Sequence, residues 1–392
     1  MKNEKFIVLA GLLFMELLAA IDTTGVTVMV PTLQNYFRIP PQIAGWILMA
    51  YLIPFFLFVV PMGYLADRFK NPEKVITWSI FAFAISSALC GLSINEYMLI
   101  TCRIIQGFGA AGMFACEFAI ILKYWEKPRR IVEIVITGLA LGVLVGPISG
   151  GLFSGEKLWR YFFLLGTVLA SIGFIAFRRL DKLIPIPREA DLQTSDYSAT
   201  RTKFKFLFTA LFWGIILNFS VSTAIQCINL LITLEIQEVL KMTAIFNGLI
   251  LAVISSGMIA ANITGLGSRL FTDNKKSVIV SGALITCSLI CLGIFPLWSN
   301  FWMFIVYFLF GIGVGVFMAT IEIMVLHPLP TPMLAQGNGW ILTSMQIGYG
   351  LGSFVAPILF LNWGAARSSY ILAMFLSAII IIFSFYSRKK IA

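Results

Sequence analysis

Apolar runs of about 20 residues or more recur along the whole chain, separated by short polar loops. That is the length a helix needs to cross a bilayer. The pattern predicts twelve helices, at residues 6–31, 42–64, 75–94, 97–122, 131–153, 159–178, 204–231, 243–266, 277–297, 300–325, 336–360 and 367–387. One polar stretch, "RRLDKLIPIPREADLQTSDYSATRTKFK", is longer than the other loops and divides the helices six and six. It predicts an N-terminal six-helix half (1–178), a cytoplasmic linker (179–203) and a C-terminal six-helix half (204–392). The fold class expected is an all-α, multi-pass membrane protein.

Composition agrees with this reading. Of 392 residues, 59% are hydrophobic and 12% charged, too few charges for the surface of a soluble protein of this length. The first run is too long for a cleavable signal peptide and carries two acids, so it reads as a first spanning helix. The net charge of +10 does not point to nucleic acid. Of the 28 Lys and Arg, the outer loops hold five (Arg38, Lys157, Arg160, Lys241 and Arg367). Arg103 lies inside a helix, and the others fall on the opposite side. Basic residues mark the cytoplasmic face, so both termini are expected in the cytoplasm and the chain in a cell (inner) membrane. Cys90, Cys102, Cys116, Cys227, Cys287 and Cys291 all lie inside predicted helices and read as small hydrophobes. With His327 the single histidine, no metal site, cofactor or catalytic constellation is expected, and an enzyme is a poor fit.

The halves show signs of duplication. Arg68 follows helix 2 and Arg269 follows helix 8, while Glu117 and Glu322 sit near the cytoplasmic ends of helices 4 and 10. Duplicated units are common in transporters.

Four stretches carry a family resemblance. "GYLADRFKNPEK" resembles the signature between helices 2 and 3 of the major facilitator superfamily, through Gly63, Asp67 and Arg68. "RIIQGFGAAG" resembles its helix 4 arginine motif, through Arg103, Gln106, Gly107, Gly109, Ala110 and Ala111. "GLALGVLVGPISGG" resembles the helix 5 motif of its proton-coupled antiporters, through Gly138, Gly142, Gly146, Pro147, Gly150 and Gly151. "IDTTGVTVMVP" is similar to the first-helix motif of the drug/proton antiporter group. The loop departs from the family pattern at Lys70, Asn71 and Pro72. The resemblance implies the twelve-helix fold, helices 1, 4, 7 and 10 around the transport path, and export coupled to protons.

The polar residues inside the helices are the candidate site. A cation inside a membrane helix costs at least ~2.5 kcal/mol unless it meets water or a partner. Arg103 and Asp22 lie about 10 Å and 14 Å from the outer surface at ~1.5 Å per residue, compatible with a pair. Glu16 is nearer mid-membrane, where a buried carboxyl exchanges protons in the working pH range. Two readings stay open: a permanent structural pair of Asp22 and Arg103, or proton coupling by Glu16, Asp22 and Arg103. Gln106, a polar stripe on helix 7 (Asn218, Ser222, Gln226 and Asn229) and Gln346 on helix 11 are cavity candidates, with bonding to neighbouring helices the alternative. Asp67, Arg68, Glu117, Arg269 and Glu322 are expected to gate the cytoplasmic side or to form structural salt bridges. Glycines 138, 142, 146 and 150 form one stripe on helix 5, which serves packing alone or a seam between the halves.

The function expected is export of small organic molecules, drug-like or amphipathic, by a monomer exchanging substrate for protons across the bilayer. A specialised metabolite or siderophore exporter, an importer of the same fold, and a non-transporting receptor or scaffold are the alternatives.

Overall fold

The structure is a computed structural model that describes residues 2–69, 71–126, 128–155, 157–183, 200–241, 244–270, 273–294, 301–327, 329 and 333–390. Its regular elements there are all helical: α1 (Lys2–Phe37), α2 (Pro41–Phe69), α3 (Pro72–Gly91), α4 (Glu96–Tyr124), α5 (Pro128–Leu152), α6 (Trp159–Leu183), α7 (Thr200–Leu234), a π-helical turn (Glu235–Val239), α8 (Ala244–Thr264), α9 (Leu266–Leu270), α10 (Asn274–Ile294), α11 (Phe301–Leu326) and α12 (Leu334–Lys390). Nine are long and apolar enough to span a membrane, and α6 and α8 add shorter apolar stretches, Trp159–Ile175 and Leu249–Thr264. α12 is two helices joined at Gly364, whose φ of 69° only glycine adopts readily. Counted on both sides of that break, the apolar helices among the described residues are the twelve of the sequence pattern. Most of the linker expected at 179–203 lies outside the described residues.

The chain forms two compact units. One comprises Met1–Ile131, Gly138–Ser195 and Leu329–Leu342; the other comprises Val132–Thr137, Asp196–Pro328 and Thr343–Ala392. Within lipid, apolar burial does not drive helices together, so close backbone approach at small residues does. In the first unit, a side chain at Gly107 of α4 would collide with the Tyr51 carbonyl of α2, and one at Gly109 with the Ser79 and Phe83 backbone of α3. Ser87 on α3 donates to the Phe163 carbonyl of α6 at 2.8 Å. The end of the unit at the α1–α2 turn carries an apolar cluster including Met29, Leu33, Ile47, Leu99, Trp159 and Phe163. Arg160 is laid over Trp159, 4.6 Å from its ring centroid, and donates to the Gly91 carbonyl at 2.9 Å. The departure at Asn71-Pro72 has a local reason. Asn71 caps α3 by accepting from the Lys74 amide at 3.0 Å, with Pro72 at the first helical position.

The second unit repeats this steric scheme. A side chain at Gly311 of α11 would meet the Ile254 carbonyl of α8, and one at Gly313 the Ser281 and Ile285 backbone of α10. Gly107 and Gly311 thus correspond, as do Gly109 and Gly313. The internal duplication is therefore visible in backbone contacts as well as in sequence.

Candidate functional site

The first unit holds two acid clusters, both reached from α1. The one nearer the α1–α2 turn is a closed triangle. Arg103 Nη1 donates to Asp22 Oδ2 at 2.5 Å and to Gln106 Oε1 at 2.8 Å, while Gln106 Nε2 donates to Asp22 Oδ1 at 3.1 Å. Arg103 Nε reaches the Ile47 carbonyl at 3.3 Å, and the Cys90 thiol donates to Gln106 Oε1 at 3.8 Å. Arg103 and Gln106 are 0% exposed and Asp22 5%. The Tyr51 ring lies under the guanidinium, 4.5 Å from Cζ to centroid. Arginine and glutamine three residues apart on α4 face the same way, so one helix presents both donors to one carboxylate. The sequence placed Asp22 and Arg103 at compatible depths, and the structure brings them together.

The second cluster joins two residues that the sequence kept apart. The carboxyl groups of Glu16 and Glu117 are within hydrogen-bonding reach of each other. Glu16 is 7% exposed and Glu117 half-buried. Glu117, expected at a cytoplasmic gate beside Arg68, therefore faces α1. Arg68 is exposed, with a 3.5 Å hydrogen bond to Tyr64. Tyr51 lies between the clusters, close enough to feel Asp22, Arg103 and Glu16, with its phenol bonded to Thr23.

The α5 glycine stripe runs along α1 past Glu16, on a face that does not include Asp22. Side chains at Gly138, Gly142, Gly146 and Gly150 would collide with Leu13 and Glu16, Leu17 and Ala20, Ile21 and Thr24, and Gly25, respectively. Gly151 has nothing within 4 Å and is not part of the contact. The stripe is thus a seam between α5 and α1, within the first unit, and not the seam between the halves that the sequence allowed. Pro147 lies inside α5 beside it.

At the other end of the unit, Asp67 accepts from the backbone amides of Ala335 (3.1 Å) and Gln336 (2.8 Å), capping the start of α12. Gly63 lets the Ala335 carbonyl approach, and Asn338 donates to the Phe114 carbonyl at 2.7 Å. Arg269 is exposed and Glu322 half-buried on α11.

The profile of the Major Facilitator Superfamily matches residues 12–290 and 264–391. The chain belongs to the major facilitator superfamily. It is accordingly an integral, multi-pass membrane protein of a family of transporters. This facilitator is 29% identical over 182 residues to the Multidrug resistance protein B homolog of Mycobacterium tuberculosis, a match covering 46% of the chain and 33% of that protein. It is 31% identical over 169 residues to the MFS-type transporter VdtG of Byssochlamys spectabilis, covering 42% of the chain and 30% of that protein. These matches span about a third of each relative's length. The fold is shared with the human organic anion transporter MFSD10 (TM-score 0.74, 14% identity, 96% and 98% of the two chains). It is also shared with the E. coli fucose:proton symporter FucP (TM-score 0.73, 16% identity, 96% and 98%).

In the facilitator's second unit the helix 7 candidates pair with α12. Asn218 Nδ2 donates to Ser344 Oγ at 3.4 Å, and Gln226 Nε2 to Ser353 Oγ at 2.9 Å. Gly348 and Gly352 bring α12 against Phe219, Ser222, Thr223 and Gln226. Asn218 and Gln226 of the stripe therefore bond to a neighbouring helix, the alternative the sequence left open. Asn229 Oδ1 is buried with no hydrogen-bond partner, and Gln346 is half-buried. Sequence reasoning missed Tyr51 and Asn338. Tyr51 is one of several aromatics in the apolar run of α2, and Asn338 lies far along the chain from its partner.

Proposed function

We propose that this transporter is a proton-coupled exporter of small organic molecules working by alternating access. The observation that carries the reading is that Glu16 and Asp22, the two acids inside the apolar run of α1, are both buried, and that the α5 glycine seam meets α1 at Glu16. Protonation at Glu16 and closure of that seam then act on the same helix. Asp22 is bonded to Arg103 and Gln106, which leaves Glu16 as the acid of α1 that exchanges the proton. A proton taken up from outside and released inside exchanges for outward movement of substrate. The relatives named as a multidrug resistance protein and, in Aspergillus parasiticus, as the efflux pump aflT support the export direction. We place both termini in the cytoplasm, the protein in the inner membrane, and the working unit as a monomer of two six-helix halves.

The test is flux in reconstituted vesicles. Ethidium outside acid-inside vesicles is expected to accumulate in the lumen, driven by proton exit, and to leave when the gradient collapses. Gradient-driven efflux from the same vesicles indicates symport and overturns the exporter reading. Equal flux with and without the gradient overturns proton coupling. Glu16→Gln is expected to lose the gradient-driven component and keep downhill exchange.

A further inference from the structure

Two glycines of α4, one residue apart, fasten two different helices. Gly107 lets the Tyr51 carbonyl of α2 approach, and Gly109 the Ser79 and Phe83 backbone of α3. Phe108, between them, is exposed in the gap that α2 and α3 leave. The gap is an open groove of about 500 Å³. Asn71 and Lys74 stand at its mouth, beside the α2–α3 turn, and Phe69 and Trp78 line it with exposed rings. Along α3 the lining ends at Ala82, eight residues past Lys74 and so about 12 Å further into the membrane. The groove is thus polar at the membrane surface and apolar below it.

The acids beside the mouth are engaged. Asp67 accepts from the Ala335 and Gln336 amides, and Glu73 pairs with Lys123. Among the described residues, Arg68 and Lys74 are exposed and pair with no carboxylate. The mouth therefore carries net positive charge. The departure from the family pattern at Asn71-Pro72 acts here: the Asn71 cap holds the Lys74 amide in the first turn of α3, which fixes the lysine at the entrance.

The glycine contacts also give a register between the two units. Gly142 meets the Leu17 carbonyl as Gly348 meets that of Phe219, which aligns α1 with α7. Gly107 and Gly311 align α4 with α11, and Gly109 and Gly313, on Ser79 and Ser281, align α3 with α10. Lys74 then corresponds to Lys276 and Phe108 to Ile312, whereas Trp78 corresponds to Val280 and Ala82 to Leu284. A leucine at the position of Ala82 is therefore compatible with this helix packing, and it takes up space at the apolar end of the groove.

We propose that the groove holds one anionic phospholipid, its headgroup at Lys74 and an acyl chain running past Trp78 to Ala82 and Phe108. The bilayer supplies an amphiphile of that shape, and basic groups beside a groove between membrane helices select anionic headgroups. A zwitterionic headgroup has no net charge to complement the mouth. Tryptophan at the level of Trp78 suits the boundary between headgroups and chains. In the topology proposed above, the lipid belongs to the cytoplasmic leaflet.

The test uses the whole protein in phosphatidylcholine bilayers, with brominated acyl chains as contact quenchers of tryptophan. The difference between wild type and Trp78→Phe isolates Trp78 among the nine tryptophans. Brominated phosphatidylglycerol is expected to quench that component at about a fivefold lower mole fraction than brominated phosphatidylcholine, the worth of one basic group at a membrane surface. Lys74→Gln is expected to bring the two lipids level, Lys74→Arg to keep the difference, and Ala82→Leu to reduce it with Lys74 in place. Lys74 is exposed, so its variants serve if Ala82→Leu does not fold. Equal quenching by the two lipids in wild type makes the surface ordinary bilayer contact and overturns the site. A preference that survives Lys74→Gln overturns the headgroup assignment. One untouched by Ala82→Leu leaves attraction at the mouth alone and overturns the groove. Relief of the quenching by tetraphenylphosphonium, at unchanged lipid composition, assigns the groove to a substrate and overturns the lipid.

Discussion

Asp22→Asn removes one charge from a triangle that has no spare acceptor. In the native arrangement Oδ2 accepts from Arg103 and Oδ1 from Gln106. An asparagine offers one oxygen and one donating NH2, so one of the two neighbouring donors then faces another donor. Flipping Gln106 does not repair this. Its Oε1 already accepts from Arg103 and from the Cys90 thiol, and turning it away leaves those donors without an acceptor. The guanidinium stays fully buried with its counter-charge gone. Breaking a buried ion pair from one side costs roughly 3–5 kcal/mol, and each 1.4 kcal/mol is tenfold. The folded fraction relative to unfolded should therefore fall by about two to three decades. The assay is the unfolding midpoint of the purified protein in micelles, for Asp22→Asn, Arg103→Gln and the double variant. Because Arg103→Gln removes the orphan cation, the double variant should recover part of the loss. Wild-type stability in Asp22→Asn, or a double variant with strictly additive losses, would refute the triangle as a coupled unit.

Three further outcomes follow from the geometry. Gly146→Val should stop transport and lower expression, because its side chain meets Thr24 and the Ile21 backbone; Gly151→Ala, with open space around it, should match wild type in the same flux assay. Asp67→Ala removes the cap on α12, at a cost of about 1 kcal/mol, so hydrogen exchange at the Ala335 and Gln336 amides should quicken while Asn338 keeps its bond to Phe114. Reporter tags at Lys182 and Lys390 should read inside and a tag near Glu238 outside, as the basic residues dictate; an external Lys390 would break the topology.

The fold was readable because a membrane helix writes its length and polarity into composition. α1 extends past its predicted ends, from residue 2 to 37 instead of 6 to 31, since the flanking polar residues continue the helix beyond the apolar run. The break at Gly364 fell inside the predicted gap between helices 11 and 12. Asp22 and Arg103 were legible as a pair because each is costly alone, and depth along two antiparallel helices is simple arithmetic. Glu117 was misplaced for a related reason. Depth alone put it near the cytoplasmic loops, and only the rotation of α4, fixed by Gly107 on α2 and Gly109 on α3, turns it toward α1. The partner of Asp67 was not legible at all. A backbone amide has no sequence signature, and Ala335 and Gln336 are far along the chain.

The duplication sharpens what the acids are for. Glycine contacts that position helices are kept in both units: Gly107 with Gly311, Gly109 with Gly313, and Gly142 with Gly348. Every ionisable member of the two clusters is not kept: Asp22, Arg103, Glu16 and Glu117 face Ala224, Tyr307, Asn218 and Ile321 as counterparts. If charge were a requirement of the architecture, the second unit would need it at the same places. It manages with an amide–hydroxyl bond at Asn218 and a fully buried Tyr307. Buried ion pairs add little net stability compared with well-packed neutral residues, so the charged set in the first unit is retained at a stability cost that the second unit avoids. The glycine scheme is the common mechanical frame, and the charged chemistry is an addition to one copy of it. The charged groups inside α1 and α4 are therefore where a chemical role is to be tested, and their neutral counterparts in α7 and α11 are the control.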